Sequence, residues 1–266
     1  MEAEETQLLL GIYALVAWFS LYLLIAGVLR MWAAHLPYAH RALITESCVS
    51  GVQGVACASV GVATVIACRR DVMGEKFAPA VYYAFIGMAY FVYDLWAMYR
   101  SHIAKLSEPE YTVAGVVSYV KKHLLMIVHH LTIVIVFFPT MVYYSPMGHF
   151  FLGSFFCTEL STPFVNARVI LSRFGYKNSK VYVVNGVLMM IVFLICRIAL
   201  FPVMYIAYLS QQTTASSHID ALLSIPLTCH LSCLLVLLPQ IYWFGLMVKG
   251  AVIVLKAGSS EADKDD

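Results

Sequence analysis

Seven long apolar runs, separated by short polar stretches, divide the chain at 8–29, 43–67, 79–99, 121–143, 147–170, 181–207 and 225–252. A helix needs about 20 mainly apolar residues to cross the hydrocarbon core of a bilayer, and every run reaches that length. The runs are continuous rather than alternating, which predicts helices and not the strands of a barrel. Pro139, Pro163, Pro202 and Pro239 fall inside four of the runs. Membrane helices tolerate such kinks because neighbouring groups satisfy the freed backbone, and kinked helices make room for a cavity. The pattern predicts an all-α fold, a polytopic membrane bundle of about seven transmembrane helices.

Composition strengthens this reading. Hydrophobic residues make up 61% of the 266 residues and charged residues 12%, against roughly 45–50% and about 25% in a soluble domain. A soluble fold would lack the polar surface to cover itself. The net charge of +2, with no basic tract, excludes nucleic acid as a partner. Of the seven cysteines, Cys48, Cys57, Cys157, Cys196, Cys229 and Cys233 fall within runs and Cys68 at a run end, which gives no disulfide framework. No metal set is expected either: Cys229, His230 and Cys233 form one short cluster in an apolar span and read as packing. No targeting peptide is expected, since an acidic N-terminus (Glu2, Glu4, Glu5) precedes an apolar run too long for a signal-peptide core.

Basic residues set the orientation. Arg30, Arg41, Arg100, Lys105, Lys121, Lys122, Arg168, Arg173, Lys177, Lys180, Lys249, Lys256 and Lys264 fall on one side, and only Arg69, Arg70 and Lys76 on the other. This predicts a lumenal N-terminus and a cytosolic C-terminus. Residues 1–39 hold the first transmembrane helix, 40–253 form one domain of six more, and 254–266 read as a polar, disordered cytosolic tail.

Ionisable side chains at membrane depth are costly and usually functional. Five stand out: Asp94, His129, His130, Glu159 and Arg197. Counting ~1.5 Å per residue from each cytosolic helix end places Asp94 roughly 8 Å deep, the histidines roughly 12–14 Å, Glu159 roughly 17 Å and Arg197 roughly 24 Å. The first four share one layer, and Arg197 is expected nearer the lumenal side. A lone buried carboxylate can simply pair with Arg197 or a tyrosine to fix packing. Adjacent histidines point about 100° apart, so the pair cannot occupy one packing slot. Arg197 reads first as a structural counter-ion.

The segment His129–Arg168, HHLTIVIVFFPTMVYYSPMGHFFLGSFFCTELSTPFVNAR, resembles the signature of the TLC-domain family, which includes the ceramide synthases. YFVYD ending at Asp94, VNG at Val184–Gly186 and CRIALFP from Cys196 to Pro202 match further. Subfamilies 3 and 4 are resembled more than the ceramide synthases proper, and PQIYWF near Tyr242 favours subfamily 3. The resemblance covers about residues 40–253. It implies helices around a central lipid cavity, and acyl transfer from acyl-CoA, as co-substrate and not bound cofactor, to a sphingoid base or related amine. It carries the essential histidine pair onto His129 and His130 and the first acidic position onto Glu159. Thr162 stands where ceramide synthases have an Asp. Most relatives are in the endoplasmic reticulum; the Golgi and plasma membrane are alternatives.

Imidazole suits the loss of an amine proton near neutrality. One histidine is expected as base, or as nucleophile forming an acyl-imidazole, while the other polarises the carbonyl. Glu159 is expected to orient the base, and Asp94 to bind the amine or complete the polar layer. Lys121, Lys122, Arg168, Arg173, Lys177 and Lys180 form a cytosolic rim for carrier phosphates, with Asn166 and Asn185 about one turn inside. The bland alternative is that these cations only meet anionic lipid. A non-catalytic protein of lipid binding or lipid homeostasis is the second function expected from the fold, and Thr162 argues for it. A di-iron hydroxylase would need several histidine motifs, and a receptor reading has no motif behind it.

Overall fold

The computed structural model describes residues 2–106, 112–144, 148–212 and 217–262. Its described elements are all helical: α1 (Glu2–Trp32), α2 (Tyr38–Ala67), α3 (Ala78–Ile103), α4 (Val113–Thr132), α5 (His149–Cys157), α6 (Thr162–Arg173), α7 (Lys180–Phe193), α8 (Leu200–Gln211), the short α9 (His218–Leu223) and α10 (Leu227–Ala262). Five stretches are long and apolar enough to cross a membrane: Glu5–Trp32, Tyr38–Ala67, Val113–Val142, Lys180–Gln211 and Leu227–Ile253. The other two expected spans, 79–99 and 147–170, are helical too, so length and composition identify five crossings where seven were expected. The reason is local. Half of α3, 13 of its 26 residues, is buried against protein, which relaxes the demand for an apolar surface. The α5–α6 rod is interrupted at Thr158–Ser161. Outward faces of the apolar helices carry exposed Leu23, Ile135, Ile195 and Leu231, side chains suited to lipid. At the C-terminus α10 runs to Ala262, beyond the expected boundary at 253, over residues with good intrinsic helix propensity such as Lys256, Glu261 and Ala262. Residues 263–266 of the expected tail lie outside the described residues.

Three of the four prolines have a readable local effect. A proline ring clashes with the carbonyl four residues earlier and offers it no N–H. Those carbonyls belong to Ile135, Glu159 and Ile198. At each the α-helical ladder changes: to wide turns at Ile133–Phe137 and Leu194–Ala199, and to a tight turn at Thr158–Ser161. Two of the broken stretches contain Arg197 and Glu159, and the third begins one turn after His129 and His130. Local departures from α-geometry of this kind gather at functional sites. Pro239 is carried inside α10.

Helix α2 is the centre of the packing, in contact with α1, α3, α5 and α6. Small residues let it approach α5–α6 closely. A Cβ on Gly61 would stand 2.7 Å from the Cys157 nitrogen, one on Gly54 2.9 Å from the Thr162 Cβ, and one on Gly153 2.6 Å from the Thr64 Cβ. Backbone contact through small residues is the usual means of membrane helix association. Across the other face, Trp18 and Tyr22 of α1 pack with Tyr90, Tyr93 and Ala97 of α3, and the Trp18 indole N–H donates to the Ile86 carbonyl at 3.3 Å. These contacts pack α3 and α5–α6, the elements that carry the carboxylates, against α2, and α3 and α5 meet where the Tyr83 and Phe156 rings pack edge-on at 5.5 Å.

Candidate functional site

His130 is held at both ring nitrogens. Its Nδ1 lies 2.8 Å from the Met126 carbonyl and its Nε2 2.8 Å from Asp94 Oδ2. The carbonyl can only accept, so Nδ1 carries a proton. The Nε2–Asp94 contact then holds one further proton, shared between ring and carboxylate. Tyr90, one turn before Asp94 on α3, donates to Asp94 Oδ1 at 2.9 Å. Phe91 closes the His130 ring edge-on at 5.2 Å. Asp94, expected to bind the amine or complete the layer, is thus the residue that orients a histidine.

His129 points elsewhere, as the helical offset requires. Its ring meets Trp243 of α10 edge-on at 5.4 Å and makes no hydrogen bond among the described residues. It borders two spaces. One is an interior cavity of about 100 Å³ whose wall includes Gln53, Glu159, Arg197 and Gln240 among apolar side chains. The other is a lateral groove of about 690 Å³ between α4 and α10, with Lys122 and His123 among its lining residues. The two histidines therefore differ in kind: one is fixed in a buried pair, and the other presents a free ring to open space.

Glu159 does not orient a histidine. Its Oε1 accepts from Arg197 Nη2 at 3.1 Å, and its Oε2 accepts from the Thr162 hydroxyl at 2.6 Å. Arg197 also donates from Nη2 to Thr162 Oγ1 at 2.7 Å, from Nε to Ser161 Oγ at 2.7 Å and from Nη1 to Gln240 Oε1 at 3.2 Å. Four of its five N–H groups are thereby used, and one on Nη1 remains beside the cavity. Arg197 was expected nearer the lumenal side. It lies in the Glu159 layer because the counts ignored the changed pitch at Thr158–Ser161 and Leu194–Ala199 and the reach of the guanidinium. Thr162, in the second acidic position, bridges the ion pair instead of adding charge.

The rim residues divide. Arg168 stacks over the Tyr182 ring at 4.2 Å and lies against Gly186, which fixes α6 to α7. Asn185 donates to the Phe164 carbonyl at 2.9 Å, and the buried Asn166 Nδ2 makes no hydrogen bond among the described residues. Lys121 and Lys122 are exposed. A tighter set lies between α3, α4 and α6: Lys105, Lys122 and Arg173 interact electrostatically, with His102 and His123 beside them. Burial, with Lys122 and Lys105 nearby, pushes the His102 imidazole below its usual range. The Nε2 of His123 and Nε of Arg173 are buried and make no hydrogen bond among the described residues. His123 also departs from helical geometry inside α4 (φ −117°, ψ 18°).

Two residues escaped the sequence reading. Glu46 of α2 lies within electrostatic reach of Asp94, Lys105 and His130 and beside Ser101, and its buried Oε2 makes no hydrogen bond among the described residues. Gln53, two turns on, reaches the cavity wall. Their spacing of seven places both on one helical face, a signal available in the sequence.

The family model described as "TLC domain" matches residues 43–249. TLC domain-containing protein 4 of Homo sapiens is 33% identical over 118 residues, which are 43% of this chain and 44% of that relative. The chain thus aligns with less than half of the relative's length. The relative carries the name of subfamily 4, the alternative read from the sequence, and does not support the narrower assignment to subfamily 3. No solved structure matches the chain.

Proposed function

The chain belongs to the TLC domain family, and from that premise we propose that it is a ceramide synthase-like N-acyltransferase, moving an acyl group from long-chain acyl-CoA to a sphingoid base or related amine. The observation that carries the reading is the contrast between the two histidines. His129 stands unbonded at the cavity wall while His130 is pinned by Asp94 and Met126.

His129 is then the reacting group. As a base it removes the amine proton while the amine nitrogen attacks the thioester carbon; the C–S bond breaks and CoA leaves as its thiol. The overall reaction joins amine and acyl group and releases CoA and, from an ammonium substrate, one proton. As a nucleophile His129 forms an acyl-imidazole that the amine resolves. His130 cannot polarise the carbonyl without surrendering a bond to Asp94 or Met126. The remaining Arg197 N–H beside the cavity suits that role, since a donor aimed at developing negative charge stabilises the transition state.

The acyl chain and base enter through the groove between α4 and α10, which His129 borders together with the cavity. Carrier phosphates rest at the cationic end on Lys105, Lys122 and Arg173. Membrane lipids surround the bundle. In this reading that end faces the cytosol and the N-terminus the lumen, the orientation the charge bias supports, and the membrane is that of the endoplasmic reticulum, which the family resemblance supports.

One observation favours a second reading. Glu159 and Thr162 are both engaged by Arg197, and a structural ion pair suits a lipid-binding or lipid-homeostasis protein that has lost the chemistry. Purified protein supplied with long-chain acyl-CoA and sphingoid base separates the two. Turnover lost in His129→Ala supports the enzyme, and no turnover with any acyl donor supports the binder.

A further inference from the structure

Helix α3 carries one glycine, Gly87, and neither backbone nor packing requires it. Its backbone is ordinary helix, outside the left-handed region that Gly148 and Gly175 occupy. No neighbouring helix presses on it as Cys157 and Thr162 press on Gly61 and Gly54: a Cβ there would meet only the Tyr83 ring, at 3.8 Å, an ordinary contact distance. Alanine in mid-helix is the more stable choice. Gly87 is nonetheless buried and borders the interior cavity, so what its missing side chain leaves is empty room inside the bundle. That cavity has a polar end at His129, Glu159, Arg197 and Gln240. From His129 its wall continues through Ile133, Phe137 and Met141, every fourth residue on one face of α4 and its wide-turn continuation. At ~1.5 Å per residue this stripe spans roughly 18 Å. Gly87 precedes Asp94, the partner of His130, by two turns, which places it about 10 Å from the histidine layer, in the apolar part. The volume of about 100 Å³ is less than the roughly 150 Å³ of an engineered site that holds benzene, so one added side chain would take up much of it.

We propose that Gly87 is a specificity determinant: the room it leaves admits one straight alkyl chain, that of the acyl group, from the His129 layer into the apolar end, and a side chain there shortens the chain that is accepted. Selection of this kind is sensitive, since one methylene more or less in an apolar pocket changes discrimination by about 10–200-fold. Met88 and Met141, unbranched side chains of the same wall, give way as a longer chain fills the space. The other alkyl chain, that of the amine, is left to the larger groove between α4 and α10, which holds about 690 Å³. The inference rests on the acyl-transfer reading for the identity of the chain, whereas occupancy of the slot by an alkyl chain is measured without turnover.

The test compares wild type with Gly87→Ala and Gly87→Leu in detergent. A long-chain fatty acid carrying a mid-chain diazirine is photo-crosslinked to each protein and the label is mapped by mass spectrometry. Straight-chain fatty acids of rising length compete with it, and acyl-CoAs of the same lengths are used for acyl transfer. Wild type is expected to be labelled between Ala84 and Phe91. Gly87→Leu is expected to weaken the long chains by about tenfold or more against the short ones. Gly87→Ala is expected to shift the preference the same way by a smaller factor and to melt no lower than wild type, so it decides the matter should the leucine variant not fold. Label confined to the groove residues Leu235 and Leu238, or one length preference shared by wild type and the folded variants, overturns the assignment. Length-dependent labelling of α3 without turnover from any acyl donor refutes the acyl-transfer reading and leaves Gly87 as the slot for a bound chain. Turnover with a length preference unchanged in the variants refutes Gly87 alone.

Discussion

The Nε2 of His130 lies 2.8 Å from Oδ2 of Asp94, across 36 positions of sequence and between two different helices. With the Met126 carbonyl at the opposite nitrogen, this contact leaves His130 bonded at both ring nitrogens while His129 makes no hydrogen bond among the described residues. In the proposed reading the structural role falls to His130 and the chemical one to its neighbour.

Asp94→Asn keeps the shape of the pair but removes the carboxylate, so the shared proton is no longer held. Turnover is expected to fall by about 10²-fold, with the protein still folded. His130→Ala, which leaves Asp94 buried without its partner, is expected to cost about 3–5 kcal/mol of stability. Thermal melts beside acyl-transfer assays check both, and an Asp94→Asn protein as active as wild type would contradict the pairing argument.

Arg197 holds Glu159, Thr162, Ser161 and Gln240 through a planar fork. Lysine offers one ammonium where the fork offers separate directions. Arg197→Lys is therefore expected to fail as a replacement. Its melting temperature should lie close to that of Arg197→Ala and well below wild type, by the 3–5 kcal/mol or so of a broken buried pair. Full stability in Arg197→Lys would show that charge alone suffices there.

Close approach of α2 to α5–α6 depends on Gly61. A methyl group there would stand 2.7 Å from the Cys157 nitrogen and 2.8 Å from the Gly153 oxygen, and backbone cannot step aside as a side chain can. Gly61→Val is expected to destabilise by about 1–3 kcal/mol and, by shifting the Thr158–Ser161 turn, to lower turnover as well. A denaturation series on the variant measures it.

Charge at the cationic end should affect binding of the carrier and not the chemical step. Lys105→Glu and Lys122→Glu together are expected to raise KM for acyl-CoA at low salt with kcat kept. The difference from wild type should shrink as added salt shortens the Debye length from about 30 Å towards 10 Å. An unchanged KM would leave those cations to the membrane surface.

Much of this was legible in the sequence for a physical reason. Charge is so costly in an apolar run that Asp94, His129, His130, Glu159 and Arg197 stood out at once, and helical offset already required the two histidines to face different surroundings. The partners were not legible. Counting residues from helix ends placed Arg197 apart from Glu159, although a long side chain and the changed pitch before Pro163 and Pro202 bring them within 3.1 Å. The orienting role was expected of Glu159, and Asp94 was expected to bind the amine or complete the polar layer, whereas it is Asp94 that holds a histidine. Glu46 was passed over because it lay three residues into the expected span. With α2 beginning at Tyr38 it is two turns inside and faces the Asp94–His130 pair. Five helices meet the length and apolarity of a crossing among the described residues, where seven spans were expected, because α3 is half buried and less apolar and the α5–α6 rod is broken.

The most direct test is a single-turnover experiment on purified protein with labelled long-chain acyl-CoA and a sphingoid base, comparing wild type and His129→Ala after melts have shown both to be folded. The account predicts labelled amide from wild type and only background from His129→Ala. Equal amounts of product from the two proteins would contradict it.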